Sequence, residues 1–373
     1  MSWPMVKLHD ICRPKQWKTI AASSLIASGY PVYGANGKIG FYSKFTHEFP
    51  TLMITCRGAT CGNVHISEPM AYINGNAMAL DDIDRSKVDI KYLYYFFLKR
   101  GFDDVISGSA QPQITGQGLT KVEIPLPPLL EQKRIAAILD KANDIRQKRE
   151  QAVKLADDFL RATFLEMFGD PVANPKKWDV ASLLEYGSFK NGMNFTKGES
   201  GSVLKCLGVG NFKSLATITC MDNIDEIELN TLPSDDYLLK DGDIVFVRSN
   251  GNKALVGRCL TIYPNKEKVT FSGFCIRYRI EKSAITAEYL NFLFRTPSMK
   301  RQMLSGGQGA NIQNISQGTL SALRIPVPPL DKQLAFAKLV DFRASILKKQ
   351  YDKMSESEKL FDALTGDFFI FNE

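Results

Sequence analysis

The chain has 373 residues, too many for one ordinary core and enough for two domains with spacers. Its 44% hydrophobic and 10% aromatic content is that of a folded soluble protein and excludes a disordered one. The net charge of +7 is modest but unevenly placed. Residues 1–125 carry 13 basic against 10 acidic side chains, and residues 171–325 carry 19 against 14. Residues 126–170 carry 8 of each, and 326–373 carry 7 basic against 8 acidic. Two basic stretches joined by neutral ones are what two nucleic-acid contacts need, although ordinary surface charge accounts for most individual lysines. No run of about eighteen apolar residues predicts a membrane span. Met1-Ser2-Trp3-Pro4-Met5 lacks a basic segment leading into an apolar one, so no signal peptide is expected. The seven scattered cysteines suit a reducing cytoplasm.

Along the chain, the first part reads as mixed α/β with short strands divided by Gly and Asn. Thr51–Thr55 is an apolar β-rich run, and Tyr92–Leu98 is an aromatic amphipathic segment. Aromatics at helical spacing belong in a core more often than against bases. Pro125-Leu126-Pro127-Pro128 removes backbone donors and ends this part. From Leu130 to Met167 the sequence is helical, with Ile135, Ile138, Ala142, Ile145, Ala152, Ala156 and Phe159 at heptad spacing and a polar break at Arg149. At about 1.5 Å per residue this is roughly 57 Å of helix. Gly169 supplies its stop, and Asp170-Pro171 with Asn174-Pro175 carries the chain onward. The second part places strands at Ile244–Val247, Leu260–Tyr263 and Phe274–Ile280 and an aromatic segment at Tyr289–Phe294. Pro326-Val327-Pro328-Pro329 closes it. A second helix is expected from Leu330 to Leu364, with Phe336, Leu339, Ile346, Leu360 and Leu364 on its seam and Gly366 as its stop.

The two parts are copies. Gly108, Ile114, Leu119, Ile124, Pro125, Pro127, Pro128, Leu129 and Gln132 recur 201 positions later as Gly309, Ile315, Leu320, Ile325, Pro326, Pro328, Pro329, Leu330 and Gln333. A fainter echo opens each copy: Trp3 before Val6 and Leu8, Trp178 before Val180 and Leu183. A lone helix with an apolar stripe is penalised by water, so the two seams are expected to pack on each other, antiparallel if a two-fold relates the copies. The alternative is that each stripe docks on its own globular part. The expected architecture is α+β: two mixed α/β domains, 1–125 and 171–325, separated by two long helical spacers, 126–170 and 326–373, packed as an antiparallel coiled coil with a pseudo-two-fold internal repeat.

Few residues suggest catalysis. Gly34–Gly40 is glycine-rich but lacks the order of a phosphate loop, and Asn36-Gly37 reads as a tight turn presenting Asn36 and Lys38. The second copy offers a polar, basic loop, Arg248-Ser249-Asn250-Gly251-Asn252-Lys253, after a clear strand. Asn and Arg read adenine and guanine edges through paired hydrogen bonds, and Lys holds phosphate; solvated turns without a partner are the plainer reading of each loop. By this loop chemistry the candidate DNA contacts are Asn36, Lys38, Arg57, Gln111, Gln113, Arg248, Asn250, Asn252, Lys253, Arg258, Gln308, Asn311 and Gln313. Cys56, Cys61 and His65 fall one ligand short of a zinc site, so no metal is expected. No Ser/His/Asp arrangement or nucleotide fingerprint accompanies the three histidines.

The repeated Ile-Pro-x-Pro-Pro-Leu-x-x-Gln before a long helix resembles the specificity subunit of type I restriction-modification systems. So does the join from Met167-Phe168-Gly169-Asp170-Pro171 to Lys177-Trp178, and so does Tyr30-Pro31-Val32-Tyr33-Gly34-Ala35-Asn36-Gly37. Gln113-Ile114-Thr115 and Gln313-Asn314-Ile315-Ser316 resemble the polar motif before the family's proline segment. The resemblance covers nearly the whole chain. It implies two target recognition domains, each reading half of a split double-stranded DNA target, with the helices as a ruler. It implies no chemistry and no cofactor on this chain. Two modification subunits would bind S-adenosylmethionine and methylate adenine, and two restriction subunits would use ATP and Mg. The Leu330 helix departs from its counterpart with Lys353 and Ser357 where Ala152 and Ala156 stand. Two other readings stand beside this one. The first is the specificity subunit of a related system with a fused modification-nuclease subunit. The second is a single-chain adenine DNA methyltransferase, which would need an Asn/Asp-Pro-Pro-aromatic motif where Asn174-Pro175-Lys176 lacks the aromatic. A coiled-coil scaffold without DNA is disfavoured by charge confined to the globular parts.

Overall fold

The structure, a computed structural model, describes residues 3–108, 111–196, 198–212, 216–305 and 314–369, with backbone alone at 347–362, 364 and 367. It divides into two compact units, one of Met1–Gln151 with Gln350–Glu373 and one of Ala152–Lys349. Each long helix therefore contributes its two ends to different units.

In the first unit the strands are β1 Met5–Lys7, β2 Arg13–Gln16, β3 Tyr30–Gly34, β4 Gly37–Tyr42, β5 Leu52–Thr55, β6 Val64–Ile66, β7 Tyr72–Ile73, β8 Ala77–Asp81 and β9 Glu123–Pro125. The helices are α1 Ile90–Arg100, the short α2 Gly116–Thr120, and the start of α3 Leu129–Phe168. One sheet has the order β2-β8-β5-β6 and a second the order β4-β3-β7. Side chains alternate across a strand, so β5 feeds both faces. Leu52 and Ile54 enter the core built on Tyr92, Leu93, Phe96 and Phe97 of α1, while Met53 enters the layer of Tyr33, Ala71 and Ile73. The aromatic run is thus core. Asp89 caps α1 by accepting from the Lys91 and Tyr92 amides, and Gly101, at φ 67°, ends it.

The second unit repeats this plan with β10 Val180–Ser182, β11 Gly187–Asn191, β12 Ser202–Leu207, β13 Thr217–Ile218, β14 Glu226–Leu229, β15 Asp243–Val247, β16 Cys259–Ile262, β17 Val269–Phe271, β18 Cys275–Ile280 and β19 Arg324–Pro326. Helices α4 Ala287–Arg295, α5 Pro297–Ser305, α6 Gln317–Ser321 and the start of α7 Leu330–Phe368 follow the sheets. The sheet orders are β11-β18-β15-β16-β13 and β14-β12-β17. Ile244 and Phe246 of β15 face α4, and Val245 and Val247 face the opposite layer.

The repeated residues now acquire physical roles. In each unit the first strand pairs antiparallel with the strand before the prolines, Val6 opposite Ile124 and Ala181 opposite Ile325. This register makes Ala181, not Val180, the counterpart of Val6. Gln132 is fully buried; its Oε1 accepts from the Asp89 amide at 2.9 Å, and its Nε2 donates to the Lys87 and Pro127 carbonyls, both at 2.8 Å. Gln333 does the same with the Thr286 amide at 3.0 Å, the Ala284 carbonyl at 3.2 Å and the Pro328 carbonyl at 2.7 Å. Tyr92 and Tyr289 donate to the Pro125 and Pro326 carbonyls at 2.6 and 2.8 Å. Proline-rich backbone lacks amide donors but keeps its carbonyls, and these side chains satisfy them in the interior.

The helices run antiparallel within each unit. In the second, Asp157 bonds Arg343 and Phe164 packs on Phe336 at 5.5 Å between ring centroids, so the α3 number rises as the α7 number falls. In the first, Arg134 at the start of α3 lies over Phe368 at the end of α7. The buried stripe of α3 differs from the expected one: Phe159 is 63% exposed and Leu160 2%. Leu139 is likewise buried beside the half-buried Ile138, so every second seam position shifts by one residue. The cause is docking, because the helix ends enter the cores, Ile135 and Leu139 in one unit and Leu160, Phe164 and Phe168 in the other. On α7, Leu339 and Ile346 remain exposed while Phe336 is buried; the Leu360 and Leu364 side chains lie outside the described residues.

Gly169 does end α3, at φ 79°. Asp170 then accepts from the Val172 and Ala173 amides, Asn174 exchanges hydrogen bonds with the Trp178 backbone, and Trp178 Nε1 donates to the Phe168 carbonyl at 3.0 Å. Gly366 is not a stop. Its φ is not positive, and α7 continues to Phe368, which delivers Phe369 into the first core against Tyr92 and Phe96 at 5.4 and 5.7 Å. Phe369→Ala is expected to destabilise the first unit by about 3–5 kcal/mol through the cavity it leaves. Gln132→Met, which strands a buried amide, should cost about 1–3 kcal/mol. Denaturant titration followed by near-UV circular dichroism measures both.

Candidate nucleic-acid interface

In each unit a loop leaves the central strand and returns in the same way. Thr55 donates its amide to the Asn63 carbonyl at 2.7 Å and accepts from the Gly62 amide at 2.8 Å. Val247 does the same with Arg258 at 2.8 Å and Gly257 at 3.0 Å. Gly62 and Gly257 both have positive φ, 94° and 74°, a turn that favours glycine. Cys56–Cys61 and Arg248–Val256 are therefore equivalent loops, the second three residues longer. The turn at Asn36 is not the counterpart of the Ser249–Lys253 segment.

A second segment is stitched to each loop. The Ile114 amide donates to the Cys56 carbonyl and the Ile315 amide to the Arg248 carbonyl, both at 3.0 Å. Thr115 and Ser316 then cap α2 and α6 by accepting from the Gly118 and Thr319 amides. The repeated Ile-Thr and Ile-Ser pairs are thus one buried anchor and one helix cap.

In the first unit this geometry gathers several of the candidates. Arg57 forms a β-bridge with Gln113, Gly58 donates to the Pro112 carbonyl at 3.1 Å, and Ser107 bridges Gln113 from the other side. Arg57, Gln111 and Gln113 are all exposed on this rim. The turn carrying exposed Asn36 joins it, because the Thr55 hydroxyl donates to the Ala35 carbonyl. Lys38, also exposed, lies on β4, paired with Glu68 at 3.1 Å and over the Phe41 ring at 4.7 Å. Cys56 is buried and accepts a hydrogen bond from Gln16 at 2.9 Å; burial raises its pKa and lowers that of His65. Among the described residues no three His, Cys, Asp or Glu side chains cluster as metal ligands.

In the second unit Asn250 and Asn252 use their carboxamide oxygens on the loop itself, accepting from the Asn252 and Ala254 amides at 2.8 and 3.0 Å. Asn252 and Lys253 are exposed and Asn250 is half-buried. Arg258 donates to the Ala254 and Phe212 carbonyls, both at 3.2 Å, bracing the loop from below. Gln308, Asn311 and Gln313 lie outside the described residues; Asn314, which follows them, bridges Ser249. The sequence reading passed over α5, from which Lys300 donates to the Ala254 carbonyl at 3.1 Å. The adjacent Lys300-Arg301 pair was the available signal.

Two copies of one frame, each displaying a different polar loop at one strand end, define a duplicated recognition protein. The chain belongs to the family of the type I restriction modification DNA specificity domain, whose sequence profile matches residues 2–155 and again 175–353. It is 22% identical to the type I restriction enzyme MjaVIII specificity subunit of Methanocaldococcus jannaschii, over 96% of this chain and 90% of that one. It is 24% identical to the StySPI specificity subunit of Salmonella potsdam, over 82% of this chain and 65% of that one. Its fold matches the crystal structure of the type I S subunit from M. genitalium with a TM-score of 0.63 at 17% identity, covering 100% of this chain and 97% of the other.

The loop contacts predict a local effect. Asn252→Ala removes the acceptor of the Ala254 amide, so hydrogen exchange at that amide should quicken about fivefold, a loss of about 1 kcal/mol, with global stability unchanged.

Proposed function

We propose that this chain is the DNA-reading subunit of a type I restriction-modification enzyme. Residues 1–125 and 171–325 act as its two target recognition domains, and 126–170 and 326–373 as the spacers between them. The reading is supported above all by the equivalent loops Cys56–Cys61 and Arg248–Val256, set in one frame yet unlike in length and side chains. Unlike donors present unlike hydrogen-bond patterns to base edges, so the target is split and asymmetric. Arg57, Gln111, Gln113 and Asn36 serve one half-site, and Arg248, Asn250, Asn252 and Lys253 the other, with Gln308, Asn311 and Gln313 on the segment beside the second loop.

The chain itself performs no chemistry and binds no cofactor. Two modification subunits supply S-adenosylmethionine and methyl transfer, and two restriction subunits supply ATP-driven cleavage with Mg. All seven cysteines are free thiols, which supports action in the cytoplasm, and among the described residues no helix is long and apolar enough to cross a membrane.

The purified chain should transfer no methyl group from S-adenosylmethionine to DNA and should support transfer once modification subunits are added. Methyl transfer by the isolated chain would overturn the reading. Inserting one heptad into both helices should lengthen the preferred spacer by about 10 Å, on the order of three base pairs, with both half-site sequences retained. Binding-site selection from a randomised-spacer library measures this, and an unchanged spacer length would remove the helices from the role of ruler.

A further inference from the structure

At the base of the second reading loop, two cations donate to one backbone oxygen. Lys300 Nζ and Arg258 Nε reach the Ala254 carbonyl at 3.1 and 3.2 Å. A third cation stands behind them: Arg295, at the end of α4, donates to the Cys259 carbonyl at 3.5 Å. Like charges held this close repel. Burial first, and then the field of Arg258, draw the Lys300 ammonium below its ordinary pKa, and burial with same-sign neighbours acts likewise on Arg295. Asp157, the carboxylate acting on Arg295, is shared with Arg343. Among the described residues no carboxylate pairs with Lys300. The matching stretch of the first unit has the opposite sign: between Gly101 and Ile106 it carries Asp103 and Asp104, the latter paired with Arg100 at 2.6 Å.

We propose that Lys300 is a phosphate grip that holds the duplex DNA backbone beside the second reading loop. The assignment rests on the DNA-reading function above and adds to it a residue, Lys300, that acts on the backbone and not on sequence. Two arguments support phosphate over base edges. Lys300 is tied to the backbone of Ala254, outside the Asn250–Lys253 segment that carries the polar side chains. A lysine ammonium is a point charge that holds phosphate without reading a pattern.

The test uses the full chain and a long mixed-sequence DNA duplex, with affinity measured by fluorescence anisotropy over a salt series. Lys300→Gln should make the slope of log affinity against log salt shallower by about 0.9, the value for one phosphate contact, with base preference unchanged. Lys300→Arg should restore the slope. A wild-type slope in Lys300→Gln overturns the grip while the DNA-reading function stands. Failure of the unaltered chain to bind the duplex overturns both.

Discussion

The constraint on which the rest depends is a buried glutamine at the start of each long helix. Gln132 and Gln333 each satisfy one amide and two carbonyls, joining the cap of an aromatic helix, the proline segment and the first turn of the spacer. Proline ends a domain cleanly but leaves carbonyls that must be met away from water. A carboxamide is the one uncharged side chain that donates twice and accepts at the same point. Fixing this joint sets the direction in which each helix leaves its domain. The loops at the far end of the central strand are free to differ because none of them takes part in it.

The ends of the helices impose a second constraint. Phe164 and Phe168 complete the core of the second unit, and Phe369 completes that of the first. Phe168 and Phe369 are related by the same 201-residue step as the glutamines. Each unit therefore needs a spacer end that belongs, in sequence, to the other copy. Such closure gives both copies the same surroundings, which explains why framework residues recur while loop residues do not.

Much of this was legible in the sequence. The proline segments, the glutamines and the Gly169 turn are short-range signals whose meaning depends on neighbours a few residues away. Strand positions such as Ile244–Val247 were clear because both faces of β15 are buried, which writes an unbroken apolar run. What could not be read was what depends on distant partners. The seam of α3 shifts from Phe159 to Leu160 because its end docks into a domain, and a heptad count holds no information about that core. Gly366 looked like a stop because the acceptor for Phe369 lies far back in the chain at Tyr92 and Phe96. The pairing of Lys38 with Glu68 was not legible either, because Glu68 is remote in sequence. The loop correspondence was hidden for the same reason: it is fixed by backbone hydrogen bonds at Thr55 and Val247, not by matching residues.

A shared frame carrying unlike loops makes one claim above the others: the two domains read two different short sequences at a distance from each other. Mapping methylated adenines across the genome of the host, with and without this chain, tests that claim most directly. The account predicts a target of two unlike half-sites separated by unspecified bases, methylated only when the chain is present. A continuous or perfectly palindromic target would contradict it.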